Sequence, residues 1–496
     1  MSRNRIILVT IGIMLSLFLA SMESTVVATA MPTIVGQLGG LEHYSWVFSA
    51  FMLTSTTTVP LYGKLSDLYG RRSIYLSAMV LFLTGSVLSG MAQSMTQLIL
   101  ARALQGLGAG GVAPMAFILI GEMFTLQQRA KMQGFFSGVW GVSSIAGPLL
   151  GGFIVDQLSW HWVFYVNIVP GLLAAALVAF AWKDQPRQLE RPSVDYAGAV
   201  LLTTSVVVLL LGLMETGTTS WILLGTAVLL FALLLWVENR AKDPILPIPL
   251  FKHDRLFTSS IAHGVFSGWA LFGTVSFIPL FVQSVLGTSA TQAGLTITPL
   301  LLGWVTASII GTRLLLRTGY FKLAITGTSL LFVGAALLAT VNAGTGQTLL
   351  MVYVTTMGIG MGLAVPAFLI AVQTKVERRY LGTSTSMLQF SRSIGGTLGV
   401  SAMGAALGAR LAANLSASGL DPELVTQLLN PEPGSEALID SGLRLAVADA
   451  IGIVFILALV AAVLALITVL FFTPRLKLSE MKPSSPEETS LPISAD

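Results

Sequence analysis

The stretch GKLSDLYGRR, Gly63–Arg72, stands between two apolar runs and gathers a lysine, an aspartate and two arginines, punctuated by glycines. Elsewhere charge is scarce. Only 10% of the 496 residues are Asp, Glu, Lys or Arg and 54% are hydrophobic, whereas a soluble domain carries about 25% charged residues. With a mean hydropathy of +0.82 and an apolar run of roughly 20 residues on each side, the decapeptide reads as a short turn between two membrane-crossing helices. Gly63 and Gly70 allow close backbone approach or a positive φ there, and Asp67 can accept hydrogen bonds from a helix N-terminus or from arginines of another part of the chain. Lys64, Arg71 and Arg72 could serve merely to mark one side of the membrane. The aspartate and the glycines point further, to a latch that forms when two halves of the molecule close and breaks when they part.

Working outward from that turn, fourteen apolar stretches can be read, at residues 7–35, 44–62, 73–92, 95–120, 132–153, 162–182, 195–214, 220–237, 258–283, 291–312, 321–341, 347–372, 382–409 and 446–472. Sorting the loops between them into two sets places all but four of the 27 Lys and Arg on the side that holds both termini. Arg410 and Arg444 flank one opposite loop, and Arg102 and Arg392 fall inside spans. The positive-inside rule therefore predicts a multi-pass protein of the cell membrane with both termini cytoplasmic. Arg3 and Arg5 before an apolar run, with Ala28-Thr29-Ala30 after it, imitate a signal peptide, but Glu23 interrupts the run and the run is too long.

Composition also excludes. The chain has no cysteine, hence no disulfide, thiolate metal site or Cys nucleophile. Its histidines, His43, His161, His253 and His263, lack metal-ligand spacing, and no acid–base dyad marks an enzyme. No metal and no cofactor are expected. The net charge of +4 is spread along one membrane surface and predicts no nucleic-acid partner. A receptor would be expected to carry a sensory domain, yet the largest polar stretch is the acidic loop Asn414–Gly442.

An internal repeat organises the chain. GLGAGGVAP, Gly106–Pro114, recurs as GIGMGLAVP, Gly358–Pro366, and SSIAGPLLG, Ser143–Gly151, as RSIGGTLG, Arg392–Gly399. The shift pairs span 4 with span 12 and span 5 with span 13, a step of eight. Six helices, two inserted helices and six more satisfy it. The expected organisation is an N-terminal six-helix bundle (residues 1–182), linkers and inserted helices (183–257), a C-terminal six-helix bundle (258–473) and a cytoplasmic tail (474–496).

With those pieces in place, GKLSDLYGRRSIYL resembles the loop signature G-x-L-a-D-x-x-G-R-[RK] of the major facilitator superfamily. LILARALQGLGAGG (Leu98–Gly111) resembles the R-x-x-Q-G-x-G motif of that family's fourth helix. GVSSIAGPLLGG (Gly141–Gly152) resembles its antiporter motif G-P-x-x-G-G, at Gly147, Pro148, Gly151 and Gly152. SWHWVFYVNIVPG (Ser159–Gly171) is similar to the W-R-W-x-F-x-x-N-x-P of fourteen-helix drug:proton antiporters of the EmrB/QacA type, with His161 where the pattern has arginine. In the second half the loop signature has decayed to GTRLLLRTGYFK (Gly311–Lys322), without the acid. The resemblance implies an all-α polytopic membrane protein of the major facilitator fold, two six-helix bundles plus two inserted helices, fourteen transmembrane helices in all. It further implies a proton-coupled antiporter that exports lipophilic drugs or related small molecules by alternating access; the partners expected are a small lipophilic substrate, protons and the lipid bilayer, with a monomer as the expected state and the need for an accessory protein left open. A dedicated exporter of one metabolite, self-made antibiotic or siderophore is the alternative.

Three charges lie deep in the spans: Glu23, Arg102 and Arg392. Each costs on the order of 2.5–3.5 kcal/mol on the insertion scale, so each needs a reason. Glu23 lies in SMESTVVATAMP, which resembles the family's first-helix L-D-x-T-I-V-N-V-A-L-P with glutamate for aspartate. A pocket carboxylate can change charge state as its surroundings change, which proton coupling requires; a fixed ion pair with Arg102 is the plainer alternative. Arg102 would tune Glu23 or relay its proton, with Gln105 one turn along the same face. Arg392 would neutralise an acid or attract an anionic substrate group. The small face of GPLLGG is expected to meet its repeat partner, span 13. Candidates for lining a substrate cavity are Phe18, Trp46, Phe51, Trp140, Trp269, Phe272, Trp304 and Phe390.

Overall fold

The computed structural model describes residues 3–38, 44–183, 195–215, 217–241, 244–246, 248–288, 290–418 and 441–476. Most of the linker Lys183–Asp195, most of the loop Asn414–Gly442 and the end of the tail lie outside them. Among the described residues the chain is helical and has no strand. The first half holds α1 (Arg3–Leu38), α2 (Tyr44–Tyr69), α3 (Arg71–Gly90), α4 (Met95–Met123), α5 (Leu126–Gln157), α6 (Trp162–Tyr165) and α7 (Ile168–Ala181). Next come α8 (Tyr196–Met214), α9 (Gly217–Glu238) and the short α10 (Ile248–His253). The second half holds α11 (Arg255–Ser284), α12 (Ala290–Thr318), α13 (Tyr320–Leu338), α14 (Gln347–Lys375), α15 (Leu381–Ser418) and α16 (Ser441–Ile467), the last continued by a π turn, Thr468–Phe472.

Ten stretches of the described residues are long and apolar enough to cross a membrane, and a shorter apolar helix covers Ala197–Leu213. α5 is not among the ten, and neither are α2 and α15. The latter two carry hydroxyl runs, Thr54–Thr58 and Thr383–Ser386, which these helices can hold because they pack between others. Thr54 shows how such a group is satisfied: its Oγ1 lies 2.8 Å from Ala103 O of α4 and 2.9 Å from Ala50 O one turn back, and its single proton is shared between them.

The two halves repeat one packing scheme. α4 sits between α2 and α3, and α1 lies along α5 and α7; likewise α14 sits between α12 and α13, and α11 lies along α15 and α16. The repeated glycines explain the match atom by atom. A Cβ on Gly106 would stand 2.4 Å from Phe51 O and one on Gly110 2.3 Å from Ser55 O, both of α2, while Gly108 presses on Phe82 N of α3 at 2.2 Å. In the second half Gly358 and Gly362 meet Leu300 O and Trp304 O of α12 at 2.2 and 2.3 Å, and Gly360 meets Gly327 O of α13 at 2.5 Å. Glycine spaced by two residues thus lets one helix approach two neighbours at backbone distance. α8 and α9 pair with each other, and α8 touches both α2 and α15.

The halves meet along two seams, α2 with α15 and α5 with α12. This corrects the expectation that the small face of α5 meets its repeat partner α15. Gly395 and Gly399 of α15 press instead on Val265 O and Trp269 of α11, so the small face of α15 serves packing inside its own half. α5 crosses to the second half through Gly134 and Gly141, whose Cβ positions face Ile309 and Val305 of α12 at 3.3 and 2.9 Å.

Candidate functional site

Two polar constellations are built from the first half. The deeper one starts on α1, where Glu23 is 1% exposed. Arg102 Nη1 of α4, equally buried, donates to Glu23 Oε1 at 2.5 Å and to Gln105 Oε1 at 2.6 Å. Asn167 Nδ2, between α6 and α7, donates to Glu23 Oε2 at 2.7 Å and to Ser86 Oγ of α3 at 3.0 Å. Ser86 Oγ also accepts from Gln105 Nε2 at 3.3 Å and donates to Phe164 O at 2.8 Å, which closes the ring of bonds. The Arg102 guanidinium lies over the Phe51 ring at 4.1 Å and near that of Phe164 at 5.9 Å. A charge taken out of water must be paired and its remaining bonds satisfied, and here α1, α3, α4 and the α6–α7 junction share that work. Both Glu23 oxygens accept from N–H groups, the arrangement that suits a carboxylate.

The shallower constellation is the 63–72 turn, at what is termed here the latch end. Gly70, with φ 102, precedes α3 in a conformation that favours glycine. Arg71, buried at the first position of α3, is held by Asp67 at 2.5 Å, by Glu122 of α4 at 2.9 Å and by Ser66 Oγ at 2.8 Å. Asp67 then reaches across the seam. Its Oδ1 accepts from Gly382 N at 3.1 Å, and its Oδ2 from Thr383 N at 2.7 Å and Thr383 Oγ1 at 2.8 Å. The aspartate caps the N-terminus of α15, where unpaired N–H groups and the helix dipole favour a negative charge. Its arginine partner belongs to its own half, and the opposite half contributes backbone. Gly63 permits the approach, since a Cβ there would stand 2.9 Å from Gly382 O and collide with Ser386 Oγ. A second tie crosses nearby: Arg129 Nη1 donates to Gln373 O of α14 at 3.1 Å, and Gln373 Nε2 donates to Phe117 O of α4 at 3.2 Å. With Gly134 of α5 against Ile309 of α12 as well, both seams are shut at the latch end.

The other expected residues do not form one group. Arg72 is exposed on α3. Gly147 and Gly151 are buried in α5, and the details of Pro148 and Gly152 lie outside what is described. Phe51 joins the Glu23 network. Phe18 lines a groove on the outside of α1 and α5. Trp46, Trp140 and Phe272 are exposed, Phe390 is buried, and Trp269 and Trp304 of the second half are partly covered. Arg392 has no acidic partner among the described residues and donates to Gln389 one turn back. His161 stacks on Trp160, ring centroids 3.8 Å apart, and Trp160 Nε1 donates to Gln37 of α1 at 2.9 Å.

Sequence reasoning missed Asn167, Ser86 and Gln373. Asn167 stood in plain view inside SWHWVFYVNIVPG as the one amide of an apolar run, and a buried amide in such a run needs a partner.

A family model described as Major Facilitator Superfamily matches residues 13–400. "Multidrug transporter protein MdtP" of Bacillus subtilis (strain 168) is 42% identical over 414 residues, covering 81% of this chain and 75% of that protein. "Multidrug resistance protein 3" of the same organism is 35% identical over 486 residues, covering 93% and 94%. "Efflux pump dotC" of Dothistroma septosporum is 30% identical over 407 residues, covering 79% and 69%. Among solved structures, the human organic anion transporter MFSD10 (TETRAN) superposes with a TM-score of 0.63 at 14% identity, over 93% of this chain and 100% of that one. The proton:xylose symporter XylE does so with 0.62 at 14%, over 97% and 98%. At such identity these two speak for the fold alone.

Proposed function

Because this chain belongs to the Major Facilitator Superfamily, and so is a transporter rather than an enzyme, we propose that it exports lipophilic drugs or similar small molecules in exchange for protons. Fourteen crossings with both termini cytoplasmic, the drug:proton antiporter branch of the family, a single working subunit and the absence of any cofactor belong to the same proposal. The names of the Bacillus relatives and of the fungal efflux pump support the drug-export part. One observation carries the proton part: the acid deepest in the first half, Glu23, has both oxygens tied to donors on two other elements.

The chemistry follows from that tie. A protonated Glu23 has one O–H donor, no net charge and reduced acceptor capacity, so it holds the N–H groups of Arg102 and Asn167 less strongly than the carboxylate does. Uptake of a proton therefore loosens α1 from α4 and from the α6–α7 junction, and loss of the proton draws them together again. With the latch end shut, Glu23 exchanges protons with the opposite, outer side. Opening of the latch turns the same carboxyl toward the cytoplasm, and the two bundles rock about it. If the substrate is a monocation, one-for-one exchange moves no net charge. If it is neutral, the membrane potential adds about 2.3 kcal/mol per 100 mV for each proton.

Inverted vesicles with an imposed pH gradient and a panel of fluorescent lipophilic cations and neutral drugs test the reading. Substrate-dependent proton release is expected from the wild type and is expected to vanish in Glu23→Gln while drug binding persists. Coupling unchanged in that variant would remove Glu23 from the proton path.

A further inference from the structure

On the outer face of the molecule α1, α5 and α7 of the first half and α12 of the second enclose a groove of about 840 Å³. Its walls are apolar and open to the surroundings: Ile11, Phe135, Val142 and Leu173 are each about half exposed. At its latch end stand two cations, Lys131 of α5 and Arg313 of α12. Both are exposed, and neither has an ion-pair partner among the described residues. They stand one on each side of the seam that Gly134 closes against Ile309 and Thr312. An anion held between two such like charges lowers their mutual repulsion.

We infer that this groove is the site of one anionic phospholipid, taken from the bilayer leaflet at the latch end. Its phosphate would sit between Arg313, which can bind it bidentately, and Lys131, which binds as a point charge. An acyl chain would run along Phe135 and Val142. The length fits: the rise from Lys131 to Val142 on α5 is roughly 16 Å at about 1.5 Å per residue, close to half of a hydrocarbon core about 30 Å thick. A free phosphate would satisfy the cations and leave the apolar wall unmatched. Because one cation belongs to each half, the lipid holds the α5–α12 seam in its closed arrangement. The assignment depends on the chain lying in a membrane and not on what it transports.

Native mass spectrometry of the full-length protein in mild detergent tests it, with phosphatidylglycerol and phosphatidylcholine of identical chains added at equal concentration. The wild type is expected to retain phosphatidylglycerol roughly tenfold or more over phosphatidylcholine, as two basic side chains at an anionic headgroup imply. Lys131→Gln with Arg313→Gln is expected to bring that ratio to about one. Gly138 lines the groove and has nothing within 4 Å of a Cβ position, so Gly138→Phe starts its side chain into open groove space and is expected to lose both lipids while remaining monodisperse. An unchanged ratio in the double variant, full retention of lipid by Gly138→Phe, or displacement of phosphatidylglycerol by an equal concentration of inorganic phosphate would each overturn the assignment.

Discussion

Glu23 and Arg102 announce themselves in the sequence because a charge in an apolar run is expensive and must have a purpose. Asn167 and Ser86 do not, since neutral polar side chains inside helices commonly bond their own preceding turn, as Ser16 does with Gly12 O and Thr328 with Ala324 O. Only the fold shows that Asn167 spends its amide protons on Glu23 and Ser86 instead. Removing it has a definite consequence. Asn167→Ala leaves Glu23 Oε2 buried without its donor, a loss of about 1–3 kcal/mol, and frees the carboxyl from α7. The variant is expected to melt several degrees below the wild type and to release fewer protons per substrate in the vesicle assay. A variant matching the wild type in both would show that Asn167 only fills space.

The glycine pairs of α4 and α14 do at the level of whole helices what a side chain cannot. A Cβ at Gly108 would meet the backbone nitrogen of Phe82 at 2.2 Å, and one at Gly360 the backbone oxygen of Gly327 at 2.5 Å, so neither neighbour can yield by changing rotamer. Gly108→Val and Gly360→Val are each expected to cost about 1–3 kcal/mol or more through overpacking, whereas Gly225→Ala and Gly452→Ala, helical and with open space around their Cβ positions, are expected to hold stability or raise it by up to about 1 kcal/mol. Thermal unfolding in detergent distinguishes the two sets, and equal melting of all four would refute the packing argument. The repeat was legible as spacing; which neighbour each glycine meets was not. The start of α5 and that of α15 also differ in kind. α5 is capped by Thr125, whose N–H bonds to Gln128 Oε1 at 3.1 Å, a local capping box. α15 takes its cap from Asp67 of the other half, and so its N-terminus is satisfied only when the halves are together.

That borrowed cap makes the latch a property of the whole molecule. Three hydrogen bonds to an ionised Asp67 hold the closed state, each worth about 1.5–3 kcal/mol. Asp67→Asn keeps the shape, removes the charge and is expected to shift the balance roughly tenfold or more toward an open latch end. The chain has no cysteine, which permits a direct measurement. Ser384, fully buried in α15 beside the latch with an unpartnered hydroxyl, can be replaced by a single cysteine. Maleimide labelling of Ser384→Cys is expected to quicken when Asp67→Asn is added, with slower turnover and little change in substrate affinity. Labelling at the same rate with and without Asp67→Asn would mean that the latch does not govern opening.

By itself the sequence determined that the chain is helical and apolar, that its glycine motifs recur about 250 residues apart, and which deep charges need an account. Those properties follow from local quantities, namely the length of apolar runs, the scarcity of charge within them and the spacing of glycine. The tertiary structure decided the rest: α5 meets α12 and not α15, Glu23 is held by Asn167 as well as Arg102, and Asp67 caps a helix more than 300 residues away in the chain. A hydrogen bond between halves depends on how two bundles are placed, and no periodicity within either bundle carries that information.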